Sequence, residues 1–161
     1  MAPSQLADTV ETDTETANVN DPAGDLRDQL GFVLRLAQVS AFRDLIEALK
    51  PFDLRPTDFS VLTVVAALPG LKQQAVGEAL RVQRPNLVAI IDQLEARGLV
   101  RRDPSPSDRR SHALRLTAAG ESLLKQAKAA QSAHEARLTA ALGDADREVV
   151  MTALRRIADA F

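Results

Sequence analysis

The 161-residue chain predicts a mainly helical fold with a minor β component, a single two-stranded ribbon. Three observations point there. Apolar residues recur at three- and four-residue spacing through most of the chain. Residues 99–116 abandon that spacing for alternation around a Pro- and Ser-rich turn. Pro51, Pro69-Gly70, Gly98 and Gly143 punctuate the periodic segments, where helices stop.

Residues 1–24 come first. They are rich in Thr, Asp, Asn and Ala, lack apolar periodicity, and carry five acids with no Lys or Arg. They predict a disordered acidic tail. Residues 25–161 predict one domain. Its first helix spans 25–49 and has two apolar stripes: Leu26, Leu30, Val33, Ala37, Ala41 and Leu45, then Phe32, Leu36, Val39, Phe42, Ile46 and Leu49. A helix apolar on two sides needs two partners, its own core and a second subunit. Pro51 ends it.

Thr57 after Pro56 reads as the N-cap of a second helix running to about Leu68. A short helix over about 72–79 follows. Gln83 or Arg84 then caps a third helix with Pro85 at its first position, where a missing N–H is harmless. Leu87, Ile91 and Leu94, with Ile90, form its inner side, and Gly98 its C-terminal cap. Leu99–Arg102 and His112–Leu116 read as strands around the turn residues Asp103–Asp108. Thr117 caps a long helix to about Leu142. Asp144 caps a last one, where Val150, Leu154, Ile157 and Phe161 make an apolar stripe.

Composition narrows the function. No cysteine excludes disulfides, thiolate zinc sites and cysteine nucleophiles. Tyr and Trp are absent, which argues against single-strand binding by stacking. There is no phosphate-binding Gly-rich loop, nucleophile elbow or cluster of metal-ligand residues, so no enzyme, cofactor or metal is expected. No apolar run spans a bilayer and no signal peptide is evident, so the default location is cytoplasmic. The net charge of −2 conceals a local excess: residues 81–115 hold eight Arg against four acids, a surplus of +4. A cationic patch of that kind suits nucleic acid.

Helix, short helix, capped helix and ribbon form the layout of a winged helix-turn-helix, over about 55–117, flanked by long helices at about 25–49 and 118–161. The helix at 84–97 would enter the major groove of double-stranded DNA. Two-fold pairing through Leu26, Leu30, Val150, Leu154, Ile157 and Phe161 would set two such helices about 34–36 Å apart. The arginine-loaded wing would lie by the minor groove, whose negative potential attracts Arg.

The run Leu94-Glu95-Ala96-Arg97-Gly98-Leu99-Val100-Arg101-Arg102, then Asp108-Arg109-Arg110, then Leu114-Arg115-Leu116-Thr117-Ala118-Ala119-Gly120, resembles the signature of the MarR family. Thr57–Leu62 followed by Leu68-Pro69-Gly70 is similar to that family's second helix and its ending. The resemblance implies a homodimer on a palindromic operator, usually repressing, and released by a small ligand. It implies that Arg110 enters the minor groove, that Asp108 orients the wing arginine, and that Arg84, Asn86 and Ala89 meet bases or phosphates. Pro85 and Gln93 share their side of the helix, and Arg101, Arg102 and Arg109 complete the cationic hairpin.

Val88 and Ala89 stand where many relatives carry hydroxyl residues and an Arg, so base readout is expected to rely on Asn86, Arg84, apolar contacts and DNA shape. An effector pocket between dimer helices and DNA-binding region is implied, with Arg35, Phe52, Phe59 and His134 as candidates. Arg35 would suit a carboxylate, an aromatic acid or its thioester. His134 reads first as a hydrogen-bonded histidine of the core or subunit interface; ligand binding or pH sensing is the other reading. The competing reading of the whole chain is a winged-helix module that binds protein, without steep salt dependence.

Overall fold

A computed structural model describes residues 22–105 and 108–160, without the side chains of 105–112. The expected acidic tail, apart from residues 22–24, and Phe161 lie outside the described residues. The chain divides into two compact units, residues 1–37 and 38–161. In the first, a 3-10 turn over Gly24–Asp28 precedes helix α1 (Leu30–Leu49), which continues into the second. The predicted helix start at residue 25 is therefore early by one short turn, because Gln29 is extended and separates the 3-10 turn from α1.

The second unit continues with α2 (Pro56–Ala67), β1 (Leu71–Lys72), α3 (Gln73–Leu80), α4 (Arg84–Ala96), β2 (Val100–Ser105), β3 (Asp108–Leu116), α5 (Ala118–Ala141) and α6 (Arg147–Asp159). Arg55, not Thr57, is the N-cap of α2. Pro56 occupies the first helical position, and the Asp58 carboxylate accepts the Arg55 backbone N–H at 2.9 Å. Gln83 caps α4, and Pro85 is its second residue rather than its first. Asp146, not Asp144, caps α6, accepting from the Glu148 and Val149 N–H groups at 2.8 and 3.2 Å. Left-handed Gly143 and the turn closed by Ala145 N–H on the Leu142 carbonyl displace the start by two residues.

The ribbon is longer than predicted and has a third strand. β1 pairs antiparallel with β3 through Leu71 opposite Leu114, giving the order β1-β3-β2. β2 is an edge strand, so Pro104 can sit in it opposite His112 without removing a needed ladder donor. The turn residues Asp103–Ser105 thus belong to the strand.

One apolar core holds the second unit together. Val61, Leu62 and Val65 of α2, Val76 of α3, Leu87, Ile91 and Leu94 of α4, Val100 and Leu114 of the sheet, and Leu124 and Ala127 of α5 are all buried. The α5 junction is close. Thr117 Oγ1 donates to the Gly98 carbonyl at 2.6 Å and accepts the Gly120 N–H at 3.0 Å. A Cβ on Gly120 would lie 2.0 Å from the Leu99 carbonyl oxygen, so only glycine lets α5 approach the strand entry.

Candidate nucleic-acid interface

The turn between α3 and α4 sets the angle of the helix-turn-helix. Arg81 takes the left-handed conformation at φ 51°, and Val82 N–H reaches the Gly77 carbonyl at 2.9 Å. That backbone costs a non-glycine residue about 1 kcal/mol. The Arg81 side chain contributes in return: its guanidinium donates to the Ala158 carbonyl at 2.6 Å and pairs with Asp159 at 3.3 Å, linking the turn to the end of α6. The far end of α4 closes in a Schellman motif: Leu99 N–H reaches the Leu94 carbonyl at 2.9 Å, and left-handed Gly98 reaches Glu95 at 2.8 Å.

Leu87, Ile91 and Leu94 are buried, so α4 presents the opposite side. Pro85 and Ala89 are exposed on it, Asn86 and Gln93 at its border, and Arg84 is exposed at the first turn. Its first turn carries Arg84 beside outward N–H groups, where a phosphate is favoured. Arg55 reaches across from α2 and donates to the Gln93 side chain, which orients it. Arg97 donates to the carbonyls of Asp53 and Phe52 at 2.5 and 3.1 Å, fixing the other end of the helix to the α1–α2 connection.

Among the described residues, Arg102 ties the wing to α4 by ion pairs. Arg102 donates to Asp92 at 2.5 Å and also to Glu95, and its own backbone N–H donates to Glu95 at 3.3 Å. Its side chain is only 19% exposed. Burial pulls the guanidinium pKa down, but hydrogen bonds to Asp92 and Glu95 prevail and raise it above the usual arginine value. The two acids of the recognition helix are thus neutralised from the wing. Arg101 lies on the other face of the ribbon, where it and Arg115 share Asp103 at 3.5 and 3.3 Å. Asp108, Arg109 and Arg110 open β3, and their side chains lie outside the described residues.

The remaining predicted residues are dispersed. Leu26 and Leu30 are exposed, Leu154 is exposed, and Val150 and Ile157 are half-buried. Arg35 is exposed on α1, while Phe52 and Phe59 pack against the core. His134 is 4% exposed, and its Nδ1 meets the Asp44 carboxylate at 2.6 Å. Arg137 joins the same carboxylate at 2.8 Å. Hydrogen bonds from Arg137 and then His134 hold Asp44 below the ordinary carboxylate range. The sequence did not disclose Arg55, Asp92, Glu95, Arg97 or Asp44 as partners. The one available signal was the pair Asp92 and Glu95 on one side of a helix, seven to ten residues before Arg102 on a strand that folds back along it.

A MarR family profile matches residues 52–111. A transcriptional regulatory protein for the hcr operon of Thauera aromatica is 35% identical over 135 residues, 83% of this chain and 81% of its own. The transcriptional repressor CouR bound to a 23-mer DNA duplex superposes with a TM-score of 0.80 at 43% identity, over 84% of this chain and 96% of its own. CouR bound to p-coumaroyl-CoA gives 0.78 at 40% identity, over 86% of this chain and 97% of its own. With those relatives and the geometry of α3, α4 and the wing, the chain belongs to the MarR family of winged helix-turn-helix proteins, DNA-binding transcriptional regulators rather than enzymes.

Proposed function

We propose that the chain binds a palindromic operator as a homodimer, represses from it, and leaves it when an aromatic acid or its CoA thioester binds. The observation that carries the DNA reading is the exposed side of α4, with Arg84, Asn86, Ala89 and Gln93 held at a fixed angle to an arginine-rich ribbon. Phosphate contacts through Arg84, Arg101, Arg109 and Arg110 position the duplex, and Asn86 reads a base edge.

Arg102 acts in this reading as a positioning residue. It fixes wing against helix and screens two carboxylates that would otherwise stand beside a polyanion. The dimer reading rests on apolar surface. Leu36, Val39, Phe42 and Ile46 are each at least 40% exposed along α1, and no described residue of α6 is buried. Faces of that kind mark an interface, and a two-fold axis makes each serve its own copy. The effector reading follows CouR, a relative solved with p-coumaroyl-CoA, and retains Phe52, Phe59 and His134 of the second unit as candidate residues.

An anisotropy titration of the chain's own promoter region tests the first claim. Saturable binding that weakens by about 0.9 log units per log unit of salt for each phosphate engaged supports it. Binding to no duplex at low ionic strength returns the chain to the protein-binding reading. Aromatic acids and their thioesters, added to the preformed complex, test the release.

A further inference from the structure

A cavity of about 650 Å³ opens at the root of the wing, bounded by the end of α2, the outer face of the ribbon and the first half of α5. Its size falls within the range of small-molecule sites. The apolar wall is Ala66, Pro69 and Leu116, with the buried Val65 and Leu124 behind it. The cations are Arg101 and Arg115 from the ribbon and Lys125 and Lys128 from α5. Against those four stand Glu121 in the lining and Asp103, which Arg101 and Arg115 share. Two positive charges are thus uncompensated. One remains on Arg101 and Arg115, which share a single carboxylate, and one on Lys125 and Lys128, which face only Glu121 and make no ion pair among the described residues.

Like charges three residues apart on a helix repel by about 0.2–0.5 kcal/mol. Here they are further set beside two arginines, an arrangement relieved by a bound anion. The planar guanidinium groups of Arg101 and Arg115 supply paired donors suited to phosphate, and the lysines supply point charge.

We propose that this cavity binds a small dianion with an apolar body, in the manner of an aryl phosphate ester. The ring lies on Ala66, Pro69 and Leu116, and the phosphate sits between the lysines and the arginines. None of Arg35, Phe52, Phe59 and His134 lines it, so it is separate from the effector pocket proposed above and does not depend on that reading.

Calorimetric titration of the whole chain with 1-naphthyl phosphate tests the site, with 1-naphthol and inorganic phosphate as the two half-ligands. The expected result is saturable binding at one per chain with Kd about 1 mM or tighter, each half-ligand weaker by about tenfold or more. In Lys125→Gln/Lys128→Gln, naphthyl phosphate should bind about tenfold more weakly, with Tm and operator affinity unchanged. Three results overturn it: no saturable heat, binding indifferent to the double substitution, or a double variant that loses operator affinity. The last would assign the lysines to the DNA backbone.

Discussion

The winged helix and the terminal helices satisfy their side chains in opposite ways. Between Arg55 and Thr117, several of the described arginines find partners within the same chain: Arg55 with Asp58 and Gln93, Arg97 with two carbonyls, Arg102 with Asp92 and Glu95, Arg101 and Arg115 with Asp103. Its apolar groups fill one core. Along α1 and α6 the balance reverses. Phe42 is 47% exposed, Ile46 48% and Val149 66%, and of α1 only Leu49 is buried. The lesson is a division of labour. The described part of the reading head pairs its charges within one chain, whereas the terminal helices leave apolar side chains exposed, as the proposed dimer requires.

The largest expected effect breaks the comparison at the terminal helices. Phe42→Glu with Leu154→Glu places a charge in each apolar face and should cost the proposed dimer more than about 3 kcal/mol, over a hundredfold in its dissociation constant. Light scattering after gel filtration should then show a monomer that retains helical circular dichroism. A variant that stays dimeric would remove these faces from the interface.

Within the reading head, Gly120→Ala should destabilise folding by about 2–3 kcal/mol, since the new methyl overlaps the Leu99 carbonyl and α5 must retreat. Denaturant unfolding measures it, and a midpoint shift near zero would mean that the junction is slack. Arg102→Gln should weaken operator binding by about tenfold while leaving the salt slope unchanged, because Arg102 meets no phosphate in this account. Adding Asp92→Asn and Glu95→Gln should restore most of the loss by removing the exposed carboxylates. A slope reduced by about 0.9 instead would make Arg102 a direct phosphate contact. Asn86→Ala should cost about 1–2 kcal/mol of sequence discrimination and little non-specific affinity, measured against a scrambled duplex.

The smallest effect concerns the junction of α1 and α5 at Asp44, His134 and Arg137. The Asp44 pKa is lowered in the fold. Its contribution to stability is therefore complete above the unfolded carboxylate value of about 3.9 and fades as pH falls through the lower folded value. Asp44→Asn should lower the unfolding midpoint slightly at neutral pH, where that contribution is complete, and the difference from the parent chain should vanish as pH falls below about 4.

These contrasts also explain what the sequence could disclose. Periodicity found α4, because Leu87, Ile91 and Leu94 have no ambiguity about which side is buried. The Schellman end at Gly98 and the Thr117 cap were legible because each depends on residues within a few positions. Helix starts were less so: Thr57 and Asp144 are good caps by type, yet Pro56 and the Gly143 turn moved the boundary to Arg55 and Asp146. β1 was invisible because two residues carry no period, and its pairing to Leu114 is long-range. In the site, exposed positions on α4 followed from the helix wheel. The engagement of Arg102 did not, since an arginine on a hairpin looks the same in sequence whether it faces DNA or a neighbouring helix. His134 was legible as a partnered histidine, but its partner lies 90 residues away at Asp44.

The central claim is that one protomer's α4 and wing form a complete duplex-reading surface, presented twice by pairing of the terminal helices. Mass photometry of the chain on a duplex of its own promoter, across a salt series, tests both parts at once. The account predicts two chains per duplex and an affinity that falls steeply as salt rises. A single chain on the duplex, or none at low salt, would contradict it.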